Sequence, residues 1–151
     1  MTVSTILRHK GTEVASATPA HTLAEIAAIL AARRIGAVVV LDDGQLAGIL
    51  SERDIIYALA AHGAAALAMR AEQLMTEAVH TVTLATTYDE AIRAMTDGRF
   101  RHMPVIEDGR LVGIVSIGDV VKARLMEQEA EVDGLRLYVT GAGAAAAPGL
   151  T

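Results

Sequence analysis

The chain has 151 residues and is 52% hydrophobic, yet it holds one Phe, three Tyr and no Trp, so its core must be built from Ala, Val, Leu, Ile and Met. A net charge of -5 argues against a general binder of nucleic acid or anionic membranes, which needs a basic surface. Without cysteine there are no disulfides, thiolate metal sites or thiol nucleophiles, and no apolar run nears the roughly 20 residues of a membrane span, so a cytoplasmic protein is expected.

Met1 to Arg8 reads as a short lead-in of helical turns, and Val14-Ala15-Ser16 as a brief strand. Thr22 and Glu25 have capping-box spacing, in which the hydroxyl covers a first-turn amide and the carboxylate reaches back. Leu23, Ile26, Ala27 and Leu30 then recur with the period of one buried helix face, closed by Arg33-Arg34 and broken at Gly36. Ala37 to Leu41 is apolar throughout and predicts a strand covered on both faces. Asp42-Asp43-Gly44 is hairpin chemistry, and Gln45 to Leu50 returns. Ser51 caps the next helix, with Ile55, Ile56 and Leu59 expected inward, and His62-Gly63 is the break within the connector that follows.

Ala61 to Arg70 is a connector. Beyond it the same order returns: Leu74-Met75 leads in, Val79 to Thr83 is a short strand, and Thr87 and Glu90 cap a helix with Tyr88, Ala91, Ile92 and Met95 inward. His102 to Ile106 and Arg110 to Val115 form a hairpin around Glu107-Asp108-Gly109, and Ser116 caps the last helix. Val121, Leu125, Val132 and Leu135 prolong its stripe, with Glu127, Glu129 and Glu131 outward. A helix continuous to about Leu137 would be about 30 Å long. Asp133-Gly134 is a place for a bend, and such a stripe calls for a partner or a cover. The Ala/Gly-rich residues 141–151 lack periodicity and are expected to be disordered.

These echoes keep one register. Gly48-Ile49-Leu50-Ser51-Glu52-Arg53-Asp54 matches Gly113-Ile114-Val115-Ser116-Ile117-Gly118-Asp119, and positions 22, 44, 51 and 54 all recur 65 residues on. A constant offset over more than thirty residues is an internal duplication. Its polar signature, Gly-Ile-x-Ser-x-x-Asp, has two readings. A Ser-x-x-Asp at a helix start is by itself most simply a cap. Repeated in register behind the same hairpin, it points to a ligand: a helix N-terminus attracts an anion, the Ser51 and Ser116 hydroxyls add a donor, and Asp54 and Asp119 are placed to accept from a ribose diol. Arg53, Arg101 and His102 are the candidate phosphate cations, with Lys10 a weaker one. His9, His21, His62 and His80 lack metal-ligand spacing and read as surface residues, so no metal site is expected.

The tandem units, together with Met75-Thr76, Arg101-His102-Met103-Pro104-Val105 and Ser116-Ile117-Gly118-Asp119-Val120-Val121, resemble a pair of CBS domains, the two-repeat Bateman module, from about Lys10 to Arg124. The resemblance implies an α/β (α+β) fold of two β-α-β-β-α repeats related by a pseudo-two-fold, with small sheets packed by helices. Residues 1–66 would form the first repeat with its lead-in and 67–130 the second. Residues 131–140 would extend the C-terminal helix ahead of the tail. It further implies a non-catalytic regulatory module that requires no cofactor and binds an adenine nucleotide (AMP, ADP or ATP, with NAD or S-adenosylmethionine as alternatives) between the repeats. A homodimer and a regulated protein partner of unknown identity are expected, but neither nucleic acid nor membrane. By the same resemblance Arg101 and His102 face the phosphates, while adenine sits around Ala37-Val38 and Met103-Pro104. Thr18 and Thr83 open the helix approaches, and Gly118 stands in the second signature where the first has Arg53. With so few aromatic residues, backbone groups are expected to read the base. Two alternatives stand beside this one. A dehydrogenase of the kind that carries CBS pairs is rejected, because the chain has neither a cysteine nor room for a barrel. A ligand-free dimerisation scaffold stays open.

Overall fold

The structure, a computed structural model, describes residues 1–146; the last five residues of the expected tail lie outside the described residues. Each repeat is built on the same local chemistry. Helix α1 spans Val3–Lys10, β1 Ser16–Ala17 and α2 Leu23–Arg33. The first hairpin is β2 (Ala37–Asp42) with β3 (Gln45–Ser51), followed by α3 (Glu52–His62). A 3-10 segment, Gly63–Ala68, and the single turn α4 (Ala71–Leu74) lead to α5 (Tyr88–Gly98), the second hairpin β4 (His102–Glu107) with β5 (Arg110–Ser116), and α6 (Ile117–Ala146).

The predicted capping boxes form. The Glu25 and Glu90 amides donate to Thr22 Oγ1 and Thr87 Oγ1, each at 3.2 Å, and both glutamates reach back to the cap amide at 3.3 Å. Arg34 and Arg99 close the two helices in the left-handed region at φ 54° and 56°. Both hairpins turn on an Asp-Gly pair with positive φ at both residues (51° and 77°, 50° and 76°), the geometry that matches the strand twist. Their registers are twins: Ala37 pairs with Ser51 and His102 with Ser116, with a bulge after Val40 and after Val105.

The short leading strands differ from expectation. The first lies at Ser16–Ala17, parallel to β2, and starts two residues beyond Val14. Over Val79 to Thr83 only Val82 pairs, as an isolated parallel bridge to Val105, so the second sheet has two strands where the first has three. The bonds flanking that bridge persist, Val82 N–H to Pro104 O at 3.0 Å and Ile106 N–H to Val82 O at 2.9 Å.

The cores do not follow chain order. Val3, Ile6 and Leu7 of α1 are buried with Tyr88, Met95, Met103, Val105 and Val115, the core of the second repeat. The Val3 and Ser4 amides donate to Thr86 O (2.8 Å) and Leu84 O (3.0 Å). In exchange, Ala66 and Ala71 are buried with Leu23, Ile26, Leu30 and Leu50 of the first repeat, against which Met69, Leu74 and Met75 also pack. The Leu23 amide donates to Met69 O at 2.9 Å. Each repeat is therefore finished by the segment that precedes the other. Two glycines make this approach possible. A Cβ on Gly113 would lie 2.7 Å from Leu7 Cδ1, and one on Gly48 would lie 2.6 Å from Met75 Sδ and 2.9 Å from Thr76 O.

Two helix faces also depart from the sequence reading. On α3 the buried residue is Ala58, while Ile56 (62% exposed) and Leu59 (38%) turn outward and only Ile55 packs on the core. Helix α6 passes Gly134 unbroken and continues through residues 141–146, where a tail is expected. The alanines there favour helix strongly enough to carry two glycines. Glu127, expected outward, is half-buried and accepts from Arg124 Nη1 at 3.0 Å, with the chain's amino group 3.9 Å away. Val121, Leu125, Val132 and Leu135 are exposed.

Candidate functional site

The twin registers bring the two signatures to the seam between repeats. Pairing Ala37 with Ser51 sets Gly36 beside the start of α3, and the Glu52 amide donates to Gly36 O at 2.9 Å. Pairing His102 with Ser116 does the same for α6, where the Ile117 amide donates to Arg101 O at 2.8 Å. The first amide of each helix is thus already taken up by the residue just before β2 or β4. The third is taken by the cap: Asp54 N–H to Ser51 Oγ at 3.4 Å, and Asp119 N–H to Ser116 Oγ at 3.1 Å. Arg53 N–H and Gly118 N–H are the first-turn donors these bonds leave over.

Two clefts open there. The first, of about 630 Å3, is lined by Ala37, Ser116, Asp119 and His102 together with Lys10, Arg33 and Arg34. The second, of about 660 Å3, is lined by Ser51, Arg53, Asp54, Arg101 and His102 together with Arg99. Both sizes suit a small-molecule ligand. Gly36 and His102 line both clefts, so the seam between them is one glycine against one imidazole: a Cβ on Gly36 would lie 3.0 Å from His102 Nε2 and from Glu52 Oε1.

Asp54 and Asp119 are half-buried, and their hydrogen bonds with the described residues fall on Oδ2. Asp54 Oδ2 accepts from the Ser51 amide (2.8 Å) and hydroxyl (3.1 Å). Asp119 Oδ2 accepts from the Ser116 amide (2.9 Å) and from Lys10 Nζ (2.6 Å), which also donates to Ile114 O at 3.0 Å. In each case Oδ1 is left to receive a hydroxyl. Burial works against ionisation of Asp119, but the Lys10 and Ser116 hydrogen bonds outweigh it and hold the carboxyl below the ordinary aspartate value. Arg53 is steered by the carbonyl end of α5, donating from Nη1 to Arg99 O at 3.0 Å.

Burial, with Lys10 and Arg101 nearby, holds His102 below the usual imidazole value against the pull of Glu52 and Asp119. A histidine pKa lowered on folding means the unfolded chain binds the proton more readily. Stability is then full above about pH 6.5, the unperturbed imidazole pKa, and declines as the pH falls through it. The thermal midpoint is expected to drop between pH 7 and 5, and His102→Gln to flatten that slope in a pH series of melting curves. An unchanged slope would show that His102 does not carry it.

Of the sequence-predicted residues, Ala37, Ser51, Arg53, Asp54, Arg101, His102, Ser116 and Asp119 line the clefts. Val38, Met103 and Pro104 have side chains closed in the core, so they offer a ligand no side-chain surface. Thr18 and Thr83 are exposed and line neither cleft: the Thr18 amide donates to His21 Nδ1 and the Thr83 amide to Thr86 Oγ1. Gly118 is exposed in the first turn of α6, its Cβ position 3.6 Å from Ser116 Oγ. Sequence reasoning missed Arg34 and Arg99, which the same 65-residue offset relates, and also His80 and Phe100.

Among the described residues no helix is long and apolar enough to cross a membrane. Fold and site together define a class: a duplicated α/β module with two polar clefts between its halves. The chain belongs to the CBS domain family, whose model matches residues 3–61 and 71–126. A CBS-domain-containing protein of Agrobacterium tumefaciens is 47% identical at a TM-score of 0.81, over 82% of this chain and 99% of that one. A mitochondrial CBS domain-containing protein of Arabidopsis thaliana is 34% identical over 93% of this chain and 72% of its own length. The CBS domain pair of MJ0100, solved in complex with 5′-methylthioadenosine and S-adenosyl-L-methionine, is 28% identical at a TM-score of 0.73, over 85% of this chain and 98% of that one.

Proposed function

We propose that the protein is a non-catalytic regulatory module that binds an adenosine-containing ligand, such as AMP, ADP, ATP, NAD or S-adenosylmethionine, in the clefts between its repeats. One observation carries this reading: each cleft presents a Ser-x-x-Asp at a helix start with one carboxylate oxygen to spare, and the second cleft adds the Arg53 amide. The carboxylate suits a ribose diol, and the amide, hydroxyl and nearby guanidinium groups suit a phosphate or carboxylate. The adenosine-type ligands of the MJ0100 pair support the same chemistry. Ligand bridging the halves biases their packing and thereby the surface offered to a partner, since a ligand shifts only states it contacts differently. That surface includes the exposed apolar side chains of α3 and α6, which suit a homodimer or a regulated protein.

Titration calorimetry and melting curves with AMP, ATP, NAD and S-adenosylmethionine test the proposal. A ligand at about 100 times its Kd should stabilise the fold by about 2.7 kcal/mol. Absence of heat and of any thermal shift across the series would favour the ligand-free scaffold.

A further inference from the structure

The two clefts share their polar signature but not their apolar wall. In the second cleft the His80 and Phe100 rings are stacked, with centroids 4.7 Å apart and planes 19° from parallel. At the positions 65 residues earlier the first cleft is lined by Ala15 and Ile35, which offer no ring. The ring placement is built into the backbone: a Cβ on Gly98 would lie 2.0 Å from Phe100 Cε1, so only glycine lets the phenyl ring lie over the last turn of α5. His80 is exposed and Phe100 half-buried, so the imidazole is the outer layer of the stack. Ile56, turned out of the core, and Val79 line the same cleft.

We infer that the His80–Phe100 stack is the platform that binds the flat heteroaromatic base of the ligand in the second cleft, with His80 touching the base and Phe100 positioning His80. The inference rests on the nucleotide reading above and deepens it: a base stacks on His80 while Asp54 takes the ribose. A stacked pair is a preformed planar surface, and stacking on it needs no hydrogen-bond readout, so the site tolerates substituents on the base. The first cleft, aliphatic and spanned by the Lys10–Asp119 pair, binds such a base more weakly.

Calorimetry of the full chain with adenosine, AMP and ribose 5-phosphate decides the matter. His80→Ala should weaken adenosine about tenfold, the loss of one base–aromatic stack, and Phe100→Leu should weaken it by removing the ring that holds the imidazole flat, both leaving ribose 5-phosphate unchanged. Phe100→Tyr should retain wild-type affinity, and Ile35→Ala should leave the tighter site untouched. AMP binding that depends on Asp54 but not on His80 or Phe100 would overturn the platform and leave the nucleotide reading standing. Equal loss of adenosine and ribose 5-phosphate would also overturn it, by showing a general disturbance of the cleft. A wild-type chain that binds none of these compounds would overturn both.

Discussion

Leu7→Ala is expected to lower the thermal midpoint by about 5–15 °C, although residue 7 lies before either repeat's first strand. Its side chain is 5% exposed and belongs to the core of the second repeat, against the bare face of Gly113. Removing a buried leucine costs about 2–5 kcal/mol, and each kcal/mol is about 2–4 °C for a chain of this size. Leu137→Ala is the control, because that residue is 75% exposed on α6 and should change stability by less than about 0.5 kcal/mol. Adding Gly113→Ala to Leu7→Ala should recover part of the loss, since the new methyl enters the space vacated by Leu7 Cδ1. A midpoint shift below about 1 °C for Leu7→Ala would mean that α1 is a loose lead-in and not part of that core.

Asp54→Ala is expected to weaken adenylate binding in the second cleft by about 100-fold or more, from the loss of two charge-assisted hydrogen bonds to the ribose. The same carboxylate accepts from the Ser51 amide and hydroxyl, so the variant should also lose about 1 kcal/mol of stability as a helix cap. The two effects separate by measurement: melting without ligand reads the cap, and titration reads the site. Asp119→Ala should leave the second cleft's affinity within about twofold, because its carboxylate lines only the first. Loss of the cap's stability with no change in affinity would reduce Ser-x-x-Asp to a structural motif.

Much of this was open to reading in the linear chain. Thr22–Glu25, Thr87–Glu90 and the two Asp-Gly turns are local devices whose partners lie within four residues, so spacing alone reveals them. The duplication, and through it Ser51, Asp54, Ser116 and Asp119, is a pattern of identity and needs no coordinates. Ile56 and Leu59 could not be placed that way. Helical period says which residues share a face, but tertiary packing decides which face is covered, and here Ala58 is buried with Leu23, Ile26 and Ala66 of the first core. The closed side chains of Val38 and Met103 were hidden for a similar reason: a strand apolar on both sides does not say which side meets a ligand.

The order of elements, both caps of the repeated helices and the paired polar signatures follow from short-range chemistry, and the residues carry them whatever the rest of the chain does. Which core α1 completes, why Lys10 meets Asp119, and how His80 comes to lie on Phe100 are matters of contact between residues far apart in the chain. Those contacts exist because neither half can bury its apolar face alone. Each recruits the segment preceding the other, and the clefts are the space left at that exchange.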